Sequence, residues 1–162
     1  MKWQLIKVSN ESTVRSLAID QPTQRIYVGA QDDLGYLKSN AAGSLKFISL
    51  VSHIPDESRT FGDVWKTYAT EEGVFFQTFS HLFLWSDNQM KVVDPSSQFH
   101  FSFYVNGVLY MNDNDHGLQK FQSDDLLNVP GTNILLGKRI QAMIPMREDE
   151  LLICTRNNGL FV

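Results

Sequence analysis

The densest run of oxygen ligands in the sequence is Asn112–Gly117, NDNDHG. Alternating side-chain oxygens suit Ca²⁺, but the calcium-loop register needs glycine at the sixth position from Asp113, and Leu118 stands there. The run therefore reads as a solvated corner. Residues Gly131–Arg139, GTNILLGKR, have the outline of a phosphate loop, yet five residues separate the glycines instead of four, and Arg139 replaces the hydroxyl that would hold Mg²⁺. That stretch reads as an ordinary connection. The four histidines, His53, His81, His100 and His116, make no helical pair of zinc ligands, and the only cysteine, Cys154, lies in the apolar run LLIC as a small hydrophobe. No G-x-S-x-G elbow presents a nucleophilic serine. These residue types point to no catalysis, no metal and no cofactor.

Charge narrows the partners further. A net charge of −4 with no Lys/Arg cluster offers nothing to a nucleic-acid backbone or an anionic membrane surface, so neither is expected to be touched by this segment. The start, MKWQLIKV, lacks the apolar core of a signal peptide, and no apolar run reaches the ~18 residues of a spanning helix. With one cysteine, no intramolecular disulfide can form.

The elements that would position any site are repeats. Arg25–Leu37, RIYVGAQDDLGYL, sets a pattern of apolar run, polar turn and second apolar run, which returns as Gly73–Trp85, Gly107–Phe121 and Leu151–Val162. Ile26, Val74, Val108 and Leu151 are equivalent, with steps of 48, 34 and 43 residues. Such steps, centred near ~42, belong to propeller blades. Short apolar runs recur without sustained helical periodicity, so the chain is all-β. Asn106-Gly107 is the strongest hairpin signal, since both residues accept positive φ. The expectation is a single β-propeller domain or fragment over residues 1–162, with four-stranded meander blades in units of about 3–38, 45–85, 90–121 and 126–162. Trp3–Val8, WQLIKV, is expected as a strand that completes the last blade.

In a propeller, the loops between the second and third strands share one face with the loops that lead from an outer strand to the next blade. That face would gather Asp32, Asp33, Arg59, His81, Asn114, Asp115, His116, Lys138, Arg156 and Asn157. These ten are the candidate ligand-binding residues, and turn chemistry alone would also account for many of them. Pooled alanine changes at Asp33, His116 and Arg156 are expected to lower a ligand response without unfolding the chain. The aromatics, four of them in Phe99–Val105, are expected to fill the space between sheets.

The segments VRSLAIDQPTQRIYVGAQDDLGYL and IQAMIPMREDELLICTRNNGLFV resemble the two-component regulator propeller repeat of bacterial sensors. Asp20, Gly29, Gly35 and Tyr36 match its pattern in the first repeat, and Thr155, Gly159, Leu160 and Phe161 in the last. The resemblance implies the periplasmic, non-catalytic sensor part of a signal-transduction protein, binding an unknown small molecule, carbohydrate or protein partner. A structural interaction scaffold is the alternative. Family rings have about seven blades, so four units imply part of a larger ring, a small closed ring, or pairing with a second chain. An uncovered blade face of ~500 Å² would forgo burial on the order of 12 kcal/mol at ~25 cal/mol/Å².

Overall fold

The computed structural model describes residues 3–41, 43–95, 97–147 and 150–162. Ala42, in the expected Asn40–Ser44 loop, and Glu148 and Asp149, in the expected turn of the fourth unit, lie outside the described residues. Among the described residues, fifteen strands form four antiparallel sheets, each in simple sequence order. The first sheet is β1 (Val14–Asp20), β2 (Arg25–Ala30), β3 (Leu34–Ser39) and β4 (Leu45–Ser49). The second is β5 (Lys66–Thr70), β6 (Gly73–Gln77), β7 (Leu82–Ser86) and β8 (Gln89–Val93). The third is β9 (Phe99–Val105), β10 (Val108–Asp113), β11 (Gly117–Gln122) and β12 (Asp125–Asn128). The fourth has three strands: β13 (Ile140–Arg147), β14 (Glu150–Thr155) and β15 (Leu160–Phe161). The chain is thus all-β, built of propeller-type meander sheets.

Tight hairpins set the registers. Asn106 and Gly107 take φ of 50° and 78° and pair Val105 with Val108, as their sequence demands. Asp87-Asn88 and Ser123-Asp124 also have positive φ at both positions, which matches the right-handed twist of the strands they join.

The sheets group into two compact units, Met1–Val93 and Asp94–Val162. In the first unit, the face of the first sheet bearing Tyr27 and Leu34 packs on the second-sheet face bearing Val74, Phe76, Phe83 and Trp85. Close approach is possible because that face carries Ser16, Ala18 and Gly29 along β1 and β2. A Cβ on Gly29 would lie 2.4 Å from Val64 Cγ1, and Ser16 Oγ donates to Val64 O at 2.7 Å. In the second unit, Phe101, Phe103 and Tyr110 of the third sheet pack against Met143, Leu151, Ile153 and Phe161 of the fourth. Aromatic residues fill both cores.

One expected element differs. Trp3–Val8 is not a strand. It lies along β4, tied by Gln4 Nε2 to Leu45 O at 2.6 Å and by Leu45 N–H to Gln4 Oε1 at 3.2 Å. A side-chain amide replaces the backbone ladder, so the alternating pattern is kept without strand pairing. Ile6 and Val8 turn inward onto Val28, Leu37 and Phe47, while Trp3 and Leu5 stay 87% and 83% exposed.

Candidate functional site

The ten expected site residues divide between the two units. In the first unit, two of them are consumed by the fold. Asp32, at φ 48°, accepts from the backbone N–H groups of Phe61 and Gly62 at 2.9 and 2.7 Å. Asp33 is buried and accepts from Ser9 N–H at 2.9 Å and Ser49 Oγ at 2.7 Å. Both carboxylates clamp the corner after β2 to the connections around it, and have few lone pairs left for a ligand. Arg59 is exposed, pairs with Asp56 at 2.6 Å and donates to Ile54 O at 2.9 Å, closing its own loop. His81 stacks at a tilt on Phe83, 5.3 Å between rings, and its backbone is held by the Thr78 hydroxyl.

In the second unit, the corner after β10 is organised by Asp113, which is fully buried. Its Oδ1 accepts from the N–H groups of Asp115 and His116 at 2.9 and 2.8 Å, and the His116 ring nitrogen Nδ1 lies 3.2 Å away. Asn114 N–H donates to Gln98 O at 3.0 Å. Thr78 and Thr155 play the part of Asp113 in the corresponding corners, since each hydroxyl accepts from turn N–H groups and donates to a carbonyl across the turn. These corners are therefore a recurring Asx/Thr turn.

Arg156 and Asn157 converge with Arg139, a residue of the connection at 131–139. A cleft of about 220 Å³ is lined by Gly137, Arg139, Arg156, Asn157 and Asn158. Arg156 N–H donates to Arg139 O at 2.8 Å, which clips the start of the fourth sheet to the turn after β14 and brings both arginines to one mouth. Neither guanidinium is ion-paired among the described residues. Asn112 Oδ1 accepts from Ile140 N–H at 3.0 Å and anchors the chain immediately after Arg139. Lys138 turns away from the cleft lining, its Nζ 6.0 Å from the Phe161 ring centre.

His100, on β9, feels this charge. Burial holds its pKa below the ordinary 6.5, the positive charge of Arg139 pushes it the same way, a backbone hydrogen bond at Ile140 opposes, and Arg156 adds a smaller push down. Near neutral pH the site is thus a neutral imidazole beside two guanidiniums, an arrangement that favours an anionic group. Residues 131–139 form a connection, the reading their sequence favours over a phosphate loop. It is a 3₁₀ turn at Thr132–Leu135 between left-handed Gly131 and Gly137, and its use is to deliver the Arg139 side chain.

Another cavity, of about 350 Å³ in the first unit, lies at the strand ends that carry the β1–β2, β5–β6 and β7–β8 hairpin turns. Asp20, Glu71, Glu72 and Asp87 rim it with Arg25, whose guanidinium lies 4.5 Å from the Tyr36 ring centre. It was missed because its carboxylates come from three separate hairpin turns. Among the described residues, no three His, Cys, Asp or Glu side chains are grouped as metal ligands, and no helix is long and apolar enough to cross a membrane.

No family model matches the chain, and no curated protein matches it in sequence. Solved structures do. The WD40 β-propeller domain of Doa1 superposes with a TM-score of 0.60 at 12% identity, over 88% of this chain and 48% of that one. The extracellular domain of BT4673 from B. thetaiotaomicron, a protein described as a one-component system, aligns over 94% of this chain and 34% of that one, at 10% identity and a TM-score of 0.38. The chain spans about half the length of the first and a third of the second. At 12% identity the likeness to the first is one of fold, and the fold is that of a β-propeller.

Proposed function

We propose that this chain is a non-catalytic binding propeller of the sensor type, and that it contacts its ligand through an anionic group, carboxylate or phosphate, held between Arg139 and Arg156. The observation that carries the reading is the two-arginine cleft, with Asn157 and Asn158 beside it, on the loop face where a propeller presents ligand contacts. Asparagine amides add neutral donors and acceptors, which suits an acidic small molecule or an acidic carbohydrate. The assignment to the regulator-propeller sensors, and with it a periplasmic setting, rests on the repeat pattern around Gly35-Tyr36 and Gly159-Leu160. Signalling would follow from a ligand that binds one arrangement of the sheets better than another, shifting output by no more than that difference in affinity.

His100 reports on this site without touching its machinery. An anion between the arginines screens their charge, so the His100 midpoint should rise towards 6.5. The test is to follow the His100 ring by NMR while adding inorganic phosphate or succinate to the whole chain, where two exposed guanidiniums should give affinity of about millimolar order. A saturable rise that is lost in Arg139→Ala/Arg156→Ala supports the proposal. No saturation, or the same response in the double variant, overturns it.

A further inference from the structure

The cavity of about 350 Å³ in the first unit lies between two sheets that pack on each other, and its charge is opposite to that of the two-arginine cleft. Four carboxylates stand at its rim: Asp20 from the β1–β2 hairpin, Glu71 and Glu72 from the β5–β6 turn, and Asp87 from the β7–β8 turn. Arg25 brings a guanidinium, drawn over the Tyr36 ring 4.5 Å from its centre, and Asp20 accepts from the Thr23 hydroxyl. The side chains of Glu71, Glu72 and Asp87 form no hydrogen bond or ion pair among the described residues. Their turns are nonetheless held. Thr70 Oγ1 accepts from Glu72 N–H at 3.2 Å and donates to Gly73 O at 3.0 Å, while Asp87 and Asn88 take φ of 48° and 59°.

Acidic turns at a surface are ordinary, and alone they would indicate no ligand. What points to one lies deeper. Tyr27 is only 5% exposed and lines the cavity, yet its phenol hydroxyl has no hydrogen-bond partner among the described residues. A tyrosine hydroxyl buried to this degree usually has one. A partner would have to come from the cavity, and beneath four carboxylates a cationic donor is favoured. Trp85, 7% exposed, supplies an aromatic wall on which an ammonium or an alkyl chain packs. A metal ion does not fit, because no three His, Cys, Asp or Glu side chains among the described residues are grouped as its ligands. Carboxylates on three separate turns suit charges spread along a chain instead. The volume lies within the range of about 300–1,000 Å³ that small-molecule sites occupy.

We propose that this cavity binds an aliphatic diamine or polyamine. One ammonium donates to the Tyr27 hydroxyl, the methylene chain lies along Trp85, and the outer ammonium is held among Glu71, Glu72 and Asp87. The site shares no residue with the two-arginine cleft and stands or falls separately from it.

The experiment is a titration of the whole chain with putrescine at low ionic strength, read by calorimetry and by the NMR signal of the Trp85 indole N–H, which Trp85→Phe assigns. Saturable binding that moves this signal is expected, tighter than that of Mg²⁺, which has the same charge but no alkyl chain. Glu72→Gln/Asp87→Asn should lower the affinity about tenfold, since two partly exposed charge pairs are lost. Glu57→Gln/Asp125→Asn removes the same charge from exposed positions elsewhere and should leave the affinity unchanged. Tyr27→Phe keeps the ring and the net charge, and should weaken putrescine severalfold. No saturation, an unmoved Trp85 signal, Mg²⁺ binding as tight as putrescine, equal losses in the two double variants, or full affinity in Tyr27→Phe would each overturn the proposal. Circular dichroism checks folding; if Tyr27→Phe does not fold, the two exposed double variants decide the matter.

Discussion

Asp33 and His100 show how far a side chain's role depends on what surrounds it. Asp33 was expected on a ligand-binding face, yet its carboxylate joins Ser9 and Ser49 inside the first unit. Removing it takes a charged acceptor from the Ser9 N–H and from the half-buried Ser49 hydroxyl. Asp33→Ala should therefore cost about 1–3 kcal/mol, seen as a lower denaturant midpoint. The pooled alanine variant of Asp33, His116 and Arg156 would then lose stability before it reported on a ligand, so an unchanged midpoint would sink this account. For His100, the folded-state pKa lies below 6.5, so the unfolded chain takes up the proton first as pH falls. The resulting stability is fully present above 6.5 and is lost as pH falls from there through the folded value. Denaturation midpoints measured between pH 7.5 and 5 should fall less steeply in His100→Gln than in the wild type; parallel curves would contradict the assigned cause.

At the scale of the element, hairpins and close approaches decide whether a meander forms. The turn dipeptides were readable because positive φ at consecutive residues restricts residue type, and Asn106-Gly107 satisfies it. Trp3–Val8 shows the limit of pattern. Ile6 and Val8 face inward in alternation, as a strand would place them, but strand pairing needs a neighbouring backbone, and β4 is met there by the Gln4 side chain. Gly35 is the sharpest element-level constraint. A Cβ there would lie 2.0 Å from Ile48 O, a backbone atom that cannot move without breaking the β3–β4 register. Gly35→Ala should destabilise the first unit by about 3 kcal/mol or more, with faster amide exchange in Leu45–Ser49. Wild-type exchange in that strand would show that the strand pair tolerates the clash.

For the whole molecule, much was legible in the chain alone: four repeats, no sustained helical period, and apolar runs at blade-like steps, because a two-residue period and turn chemistry are local properties. The candidate site was legible only in part. Arg156 and Asn157 could be placed in one turn from the repeat, but Arg139 could not be joined to them, because its place depends on the Arg156–Arg139 backbone bond and the Asn112 anchor, contacts made across long separations in sequence. Nor could sequence separate a carboxylate spent on a corner, as at Asp33 and Asp113, from one open to a ligand; both are aspartates in polar turns, and burial alone distinguishes them. Sequence by itself determined the class of the fold and the spacing of its strands, through local backbone preference and apolar periodicity. Tertiary structure decided which polar groups are used up within the fold, because desolvation and long-range hydrogen bonding exist only once the sheets are packed.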